Sequence, residues 1–160
     1  MSKQVTAAGM DGNRLRSFTW DDYGISKGRY MELQGFCIQY RQKKKDVKRI
    51  SDYALALAAV TEAEAAEGAA LRRYQWAERA MCDCRMIEEA AMWAADAGGY
   101  KSAWQAILRN VTDGIGYDNL VDAYKIPFSV ADFYGMRRAF FHRLDQLQNG
   151  AGSDDNSGKK

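Results

Sequence analysis

The stretch GYDNLVDAYKIPFSVADFYGMRRAFFHRLDQL, residues Gly116 to Leu147, decides how the rest of the chain is read. Tyr117, Leu120, Val121 and Tyr124 recur at helical spacing until Lys125-Ile126-Pro127 interrupts them. Pro127, the single proline of the chain, cannot sit inside a helix without losing a hydrogen bond and clashing with the preceding turn, and it drives Ile126 toward an extended conformation. The first helix is therefore short, and a turn follows it. Ser129 with Asp132 three positions on forms a capping-box-like pair: the hydroxyl accepts from an orphan backbone N–H, and the carboxylate suits the positive end of the helix. The second helix is predicted to start near Val130.

Along that second helix Val130, Phe133, Phe140, Leu144 and Leu147, flanked by Met136 and Phe141, follow one another at steps close to three and four and predict a face turned to the core. The other face carries Ala131, Asp132, Gly135, Arg138 and His142, with Tyr134 and Arg137 toward its edges. Helix-turn-helix proteins place the start of their second helix in the major groove, where Arg donates to guanine edges and a carboxylate accepts from cytosine. Together with Ser129, this face is the candidate interface with double-stranded DNA. Arg137 and Arg138 suit a solvated or salt-bridged helix face equally well. Gly135, which costs about 1 kcal/mol against Ala in a helix interior, suits a close approach either to DNA or to another helix. His142 is the lone histidine, reads as an ordinary surface residue, and supports neither a metal site nor a Cys/His pair.

Upstream, Tyr100, Ala103, Trp104, Ile107, Leu108 and Val111 define a further helix, ended by Asp113-Gly114-Ile115-Gly116. Three consecutive helices make the smallest self-supporting unit of this kind, because a two-helix motif cannot bury its own apolar faces. Before them, Thr61 and Glu64 form a second capping-box candidate, starting a helix that runs to Gly98-Gly99 unless Gly68 breaks it. Its length would be about 50 Å at 1.5 Å per residue. Leu71, Tyr74, Ala77, Met81, Cys84, Ile87, Ala91 and Ala94 line one side, widened by Trp76, Met92 and Trp93. An intramolecular core is favoured for that side over the seam of a homodimer. Glu78, Asp83 and Glu88-Glu89 stand without a nearby histidine or ligand pattern and read as helix-face charges.

Near the start, Ser26 is the candidate N-cap of a helix reaching about Lys45 and burying Tyr30, Leu33, Cys37 and Tyr40. Phe18, Trp20, Tyr23 and Ile25 precede it. Trp20 and Tyr23 suit either a stacking platform for bases or a clamp over the core, and their place beside a helix start favours the clamp. The run RQKKKDVKR supplies Arg41, Lys43, Lys44, Lys45, Lys48 and Arg49 as candidate phosphate contacts; the competing reading is a solvated helix end. Phosphate contact would add salt-sensitive affinity that positions the protein without specifying a sequence.

Composition sets the outer bounds. A chain of 160 residues, 47% hydrophobic and 28% charged, suits one all-α domain with tails. Residues 1–16 and 148–160 are expected to be disordered tails, 17–99 an N-terminal helical region with the long central helix, and 100–147 the helix-turn-helix region. The net charge of +2 and pI near 8.4 fall short of a strongly basic protein, so local charge must carry any nucleic-acid argument. Cys37, Cys82 and Cys84 lack paired CxxC spacing, and the thiols of Cys82 and Cys84 would lie about 200° apart around a helix, so they read as packing and not as a zinc site. Without a secretory signal or an apolar run of membrane length, the chain is expected to be cytoplasmic and reduced. No nucleophile–base set, metal-ligand cluster or Gly-rich phosphate loop points to an enzyme or a cofactor.

Three pieces, SKGRYMELQGFCIQY, RMIEEAAMWA and AILRNVTDGIGYDNLVDAYKIPFSVADFYGMRRAFF, together resemble the small regulators of the RinA and ArpU type encoded by phages and prophages of Gram-positive bacteria. The C-terminal part of those proteins is similar to the sigma-factor region that reads the promoter's upstream element. The resemblance covers roughly Ile25 to Leu147, with residues 41–70 poorly matched, and is most specific at IPFSVADFYGMRRAFF. It implies an all-helical, phage-encoded transcriptional regulator, often of late genes, with Ser129, Asp132, Tyr134, Arg137 and Arg138 at the start and middle of the recognition helix. Gly135 and Met136 depart from the polar, charged pair usual there. Two other readings stay open: a small-terminase-like DNA-packaging subunit, which would form a large ring where a regulator is a monomer or dimer, and a protein-interaction module that contacts RNA polymerase or a repressor without reading DNA.

Overall fold

The short apolar steps and the Gly and Pro stops of the sequence resolve into helices, in a computed structural model that describes residues 15–58 and 67–150. The fold is all-α, with no strand among the described residues. Its helices are α1 (Lys27–Ile38), α2 (Tyr40–Ala58), α3 (Glu67–Ala97), α4 (Trp104–Asp113, entered by a 3₁₀ turn at Lys101–Ala103), α5 (Tyr117–Tyr124) and α6 (Val130–Gly150). The long central helix is α3, about 46 Å at 1.5 Å per residue; Gly68 lies inside it and does not break it. Thr61 and Glu64 fall outside the described residues.

The punctuation residues act as their chemistry dictates. Ser26 accepts from the Arg29 N–H at 3.1 Å and caps α1. Gly99 and Gly114, at φ +79° and +70°, take the left-handed conformation that ends α3 and α4. Lys125 does the same for α5 at φ 53°, a position where a non-glycine residue is uncommon. Ahead of α6, the Ser129 hydroxyl accepts from the Asp132 N–H at 3.3 Å. One boundary differs from expectation: the helix predicted from Ser26 to Lys45 is two helices, parted at Gln39.

The chain divides into two compact units, Gln39–Arg85 and the residues on either side of that segment. In the flanking unit, α1, α4 and α6 pack on one another and α5 packs on α4. Phe133, Met136, Phe140, Phe141 and Leu144 of α6 are essentially inaccessible, with Leu33 and Cys37 of α1, Ile87, Ala91 and Ala94 of α3, and Ile107 of α4. Burial pushes the Cys37 thiol up to about 12. The predicted core face of α6 holds, except that Val130 is 50% exposed and Leu147 only half-buried. Met81, expected on the apolar side of α3, and Trp76 and Met92, expected to widen it, are exposed; small alanines, among them Ala80, Ala90 and Ala95, take the inward positions instead. The side chains of Leu71 and Tyr74 lie outside the description.

The principal addition to the sequence reading is an N-terminal strap, residues 15–25, laid across α6. Leu15 is fully buried and Phe18, Tyr23 and Ile25 nearly so. Arg16 bonds to α6, so Leu15 and Arg16, expected in a disordered tail, belong to the fold. At the other end α6 continues to Gly150, past the expected tail boundary at 148. Trp20 packs against Tyr30 and Phe141 with ring centroids 4.8 and 5.9 Å away, while Tyr23 stacks between Phe18 and His142 at 5.4 and 4.6 Å. Both aromatic residues are clamps over the core and not a platform for bases.

In the other unit, α2 lies against the first part of α3. The Lys43 ammonium pairs with Asp83 at 2.7 Å, and the Cys84 thiol donates to the Tyr40 carbonyl at 3.9 Å. Cys84 is buried and Cys82 exposed, and no metal-ligand cluster exists among the described residues.

Candidate nucleic-acid interface

Two surfaces carry the residues expected to meet DNA: the start of α6 and the basic face of α2. Each is built by its own unit.

On α6 the strap covers most of the expected reading face. Asp132 is buried; both of its oxygens accept from Arg16, Oδ2 at 2.9 Å, and Oδ2 also accepts from the Ser129 hydroxyl at 2.9 Å. The Arg16 guanidinium, ahead of the Ser129 hydroxyl, holds the Asp132 carboxyl below the usual carboxylate range. Gly135 is buried under strap backbone: a Cβ there would stand 3.1 Å from the Leu15 carbonyl carbon and 3.2 Å from the Arg16 nitrogen. The close approach that this glycine permits is therefore to the chain's own strap, and not to DNA or another helix. Arg138 donates from Nε to the Phe18 carbonyl at 3.0 Å.

The remaining positions divide clearly. Arg137 turns inward, donating to Asn110 Oδ1 at 2.7 Å and to the Tyr30 hydroxyl at 2.8 Å, with its guanidinium 5.0 Å from the Phe141 ring centroid. It ties α6 to α4 and α1, and is not placed to reach DNA. His142 is half-buried, stacked on Tyr23 and 6.5 Å from Trp93 by ring centroids, so it is not the surface histidine expected. Burial lowers its pKa, opposed by Asp145 and assisted by Arg143. Ser129, Ala131 and Tyr134 stay exposed, Tyr134 by 40%, with Val130 beside them. The accessible part of α6 is thus its first turn and a short ridge behind it.

Could a ligand displace the strap? Burial of Leu15, Phe18 and Ile25 alone stabilises by about 4.5–9 kcal/mol at ~1.5–3 kcal/mol per side chain. That is on the scale of a whole domain's net stability, about 5–15 kcal/mol. The strap is an integral layer of the fold, and the middle of α6 stays shut.

The second surface is α2. At about 100° per residue, Arg41, Lys44, Lys45, Lys48 and Arg49 fall within an arc of about 140°, and all five are exposed. Lys43 and Asp46 fall outside that arc and are largely covered, with side chains 15% and 18% exposed. Lys43, a candidate phosphate contact by sequence, is engaged by Asp83 instead. Arg49 approaches Asp46 at 3.7 Å while remaining 82% exposed, a surface contact of little energetic consequence. The face extends about 12 Å, eight residues at 1.5 Å each.

Acidic groups dominate near α5, where Asp118 and Asp122 are exposed, and Lys125 follows them. Arg16, which sequence periodicity had no means of linking to α6, joins the α6 tip through Asp132. No helix among the described residues is long and apolar enough to cross a membrane. Compared with family models, curated proteins and solved structures, the chain matches none.

Proposed function

We propose that the protein is a DNA-binding regulator of the phage or prophage type that holds the duplex backbone with the basic face of α2 and offers the tip of α6 to base edges. The observation that carries this reading is the segregation on α2: five exposed cations share one face while Lys43 and Asp46 are withdrawn from it. A continuous positive stripe of that length suits the phosphate oxygens of a duplex backbone. The tip contributes Ser129, Ala131 and Tyr134.

The test is fluorescence anisotropy with a 30-bp duplex from the protein's own genomic neighbourhood against a scrambled competitor, between 50 and 200 mM salt. With five phosphate contacts, log K against log salt has a slope of about −4.5, and affinity falls about 500-fold over that range. Lys45→Ala with Lys48→Ala brings the slope to about −2.7. A slope near zero, or one unchanged by the double substitution, overturns the reading. Light scattering on the same samples separates the regulator, a monomer or dimer, from a ring-forming packaging subunit.

One observation favours a second reading, a module that contacts RNA polymerase or a repressor. Val130 and Tyr134 are exposed in the unit whose α5 presents Asp118 and Asp122, a mixture suited to a protein partner and not to phosphate. Salt-insensitive behaviour toward DNA, with the fold intact, selects it.

A further inference from the structure

We infer that Arg16, delivered by the strap to the start of α6, is a base-reading side chain that donates to the O6 and N7 acceptors of a guanine in the major groove. The inference rests on the DNA-binding reading above and deepens it. In the sequence, Asp132 is the residue at this point of the helix, a carboxylate suited to cytosine. In the structure both Asp132 oxygens are spent on Arg16, and Oδ2 on Ser129 as well. The chemistry presented at the tip is therefore inverted, from acceptor to donor.

The geometry of the pair suits that role. Arg16 binds the carboxylate edge-on through Nε and Nη2, which uses two of its five N–H groups. The Nη1 hydrogens and the second Nη2 hydrogen remain at the far end of the fork, spaced to meet guanine O6 and N7 together. The side chain is 44% exposed although its partner is only 10% exposed, so the pair is open to solvent on the Arg16 side, where Tyr100 is the other group in its electrostatic surroundings. A fork held by a buried carboxylate loses little further freedom when it binds. Because Asp132 sits on the first turn of α6 and Ser129 precedes it, the guanidinium lies at the end of the helix that enters a groove in helix-turn-helix docking. Asp132 is then a positioning residue.

A role confined to latching the strap makes a different forecast, and one experiment separates them. A 30-bp duplex is selected by the wild-type protein from a random pool, and each guanine is replaced in turn by 7-deazaguanine, which lacks the N7 acceptor. We expect one substitution to weaken wild-type binding about 2- to 12-fold, half the free energy of a good bidentate pair, because O6 remains. Arg16→Met, which keeps an unbranched stem and removes every N–H donor to N7 or O6, should lower affinity for the unmodified duplex and be indifferent to that same substitution. Thermal melting of each variant verifies the fold, and Asp132→Asn offers a second route, with the same guanine losing its influence. If Arg16→Met lowers stability but remains as sensitive to 7-deazaguanine as the wild type, Arg16 is a latch and the assignment fails alone. Selection that yields no preferred sequence, while salt-sensitive binding persists, also removes Arg16 as a reader and leaves the α2 interface standing. No wild-type binding at all overturns both.

Discussion

Gly135→Ala and Gly35→Ala make a matched pair, because both glycines lie inside helices and only one is needed there. A Cβ at Gly35 of α1 meets no atom within 4 Å beyond its own helix and neighbours, so alanine should recover the full helix-propensity difference, about 1 kcal/mol. At Gly135 the same gain is opposed. The new Cβ falls 3.1–3.2 Å from three backbone atoms of Leu15 and Arg16, and backbone cannot rotate away as a side-chain tip can. The strap must lift by a few tenths of an ångström against the Arg16–Asp132 pair and the Arg138–Phe18 bond. Overpacking of this kind costs about 1–3 kcal/mol, so Gly135→Ala should be neutral to ~2 kcal/mol less stable than wild type, and about 1–3 kcal/mol less stable than Gly35→Ala. Urea denaturation followed by near-ultraviolet circular dichroism measures both. Equal stabilisation by the two substitutions would refute the claim that strap backbone rests on Gly135.

Other outcomes follow from the same packing. His142, whose folded pKa is lowered by burial from 6.5, is neutral in both states above that value. Below it the unfolded chain takes up the proton first, so stability declines as pH falls through the interval between the unfolded and folded pKa values. His142→Gln should flatten that decline in melting curves between pH 7.5 and pH 5, and an unchanged slope would disprove the assignment. Arg137→Ala, which removes the bonds to Asn110 and Tyr30, should cost about 2–3 kcal/mol and leave the DNA affinity of the folded protein unaltered; a selective loss of affinity would return Arg137 to the interface.

The helix boundaries were legible because they depend on local chemistry. Pro127, Ser26, Gly99 and Gly114 impose their conformations on immediate neighbours, and the structure places each where its residue type requires. The break at Gln39 carries no such residue and left no trace in the sequence. The strap was illegible for a different reason: Leu15, Phe18 and Tyr23 follow no period, and their partners on α6 lie more than 100 positions away. Without the strap, Asp132, Gly135, Arg138 and His142 read as an open face, although polar and small residues are equally what a covering segment needs to hydrogen-bond and to settle closely. The α2 face was half legible. Its charge density is plain in the sequence, but the withdrawal of Lys43 depends on Asp83, 40 positions on.

The strap also sets a timetable for assembly. Arg16 is 116 positions from Asp132, Arg29 is 116 from Asp145, and Phe18 is 120 from Arg138. At a synthesis rate of about 5–20 residues per second, Leu15 and Phe18 leave the ribosome roughly 6–25 s before α6 exists to receive them. The segment that completes the core is made well before the helix it must match. Because contacts between distant positions pay their loop-closure entropy before they return any stability, closing the strap over α6 should be the slow, late step of folding, at a stage when α1 and α4 already hold their own turns.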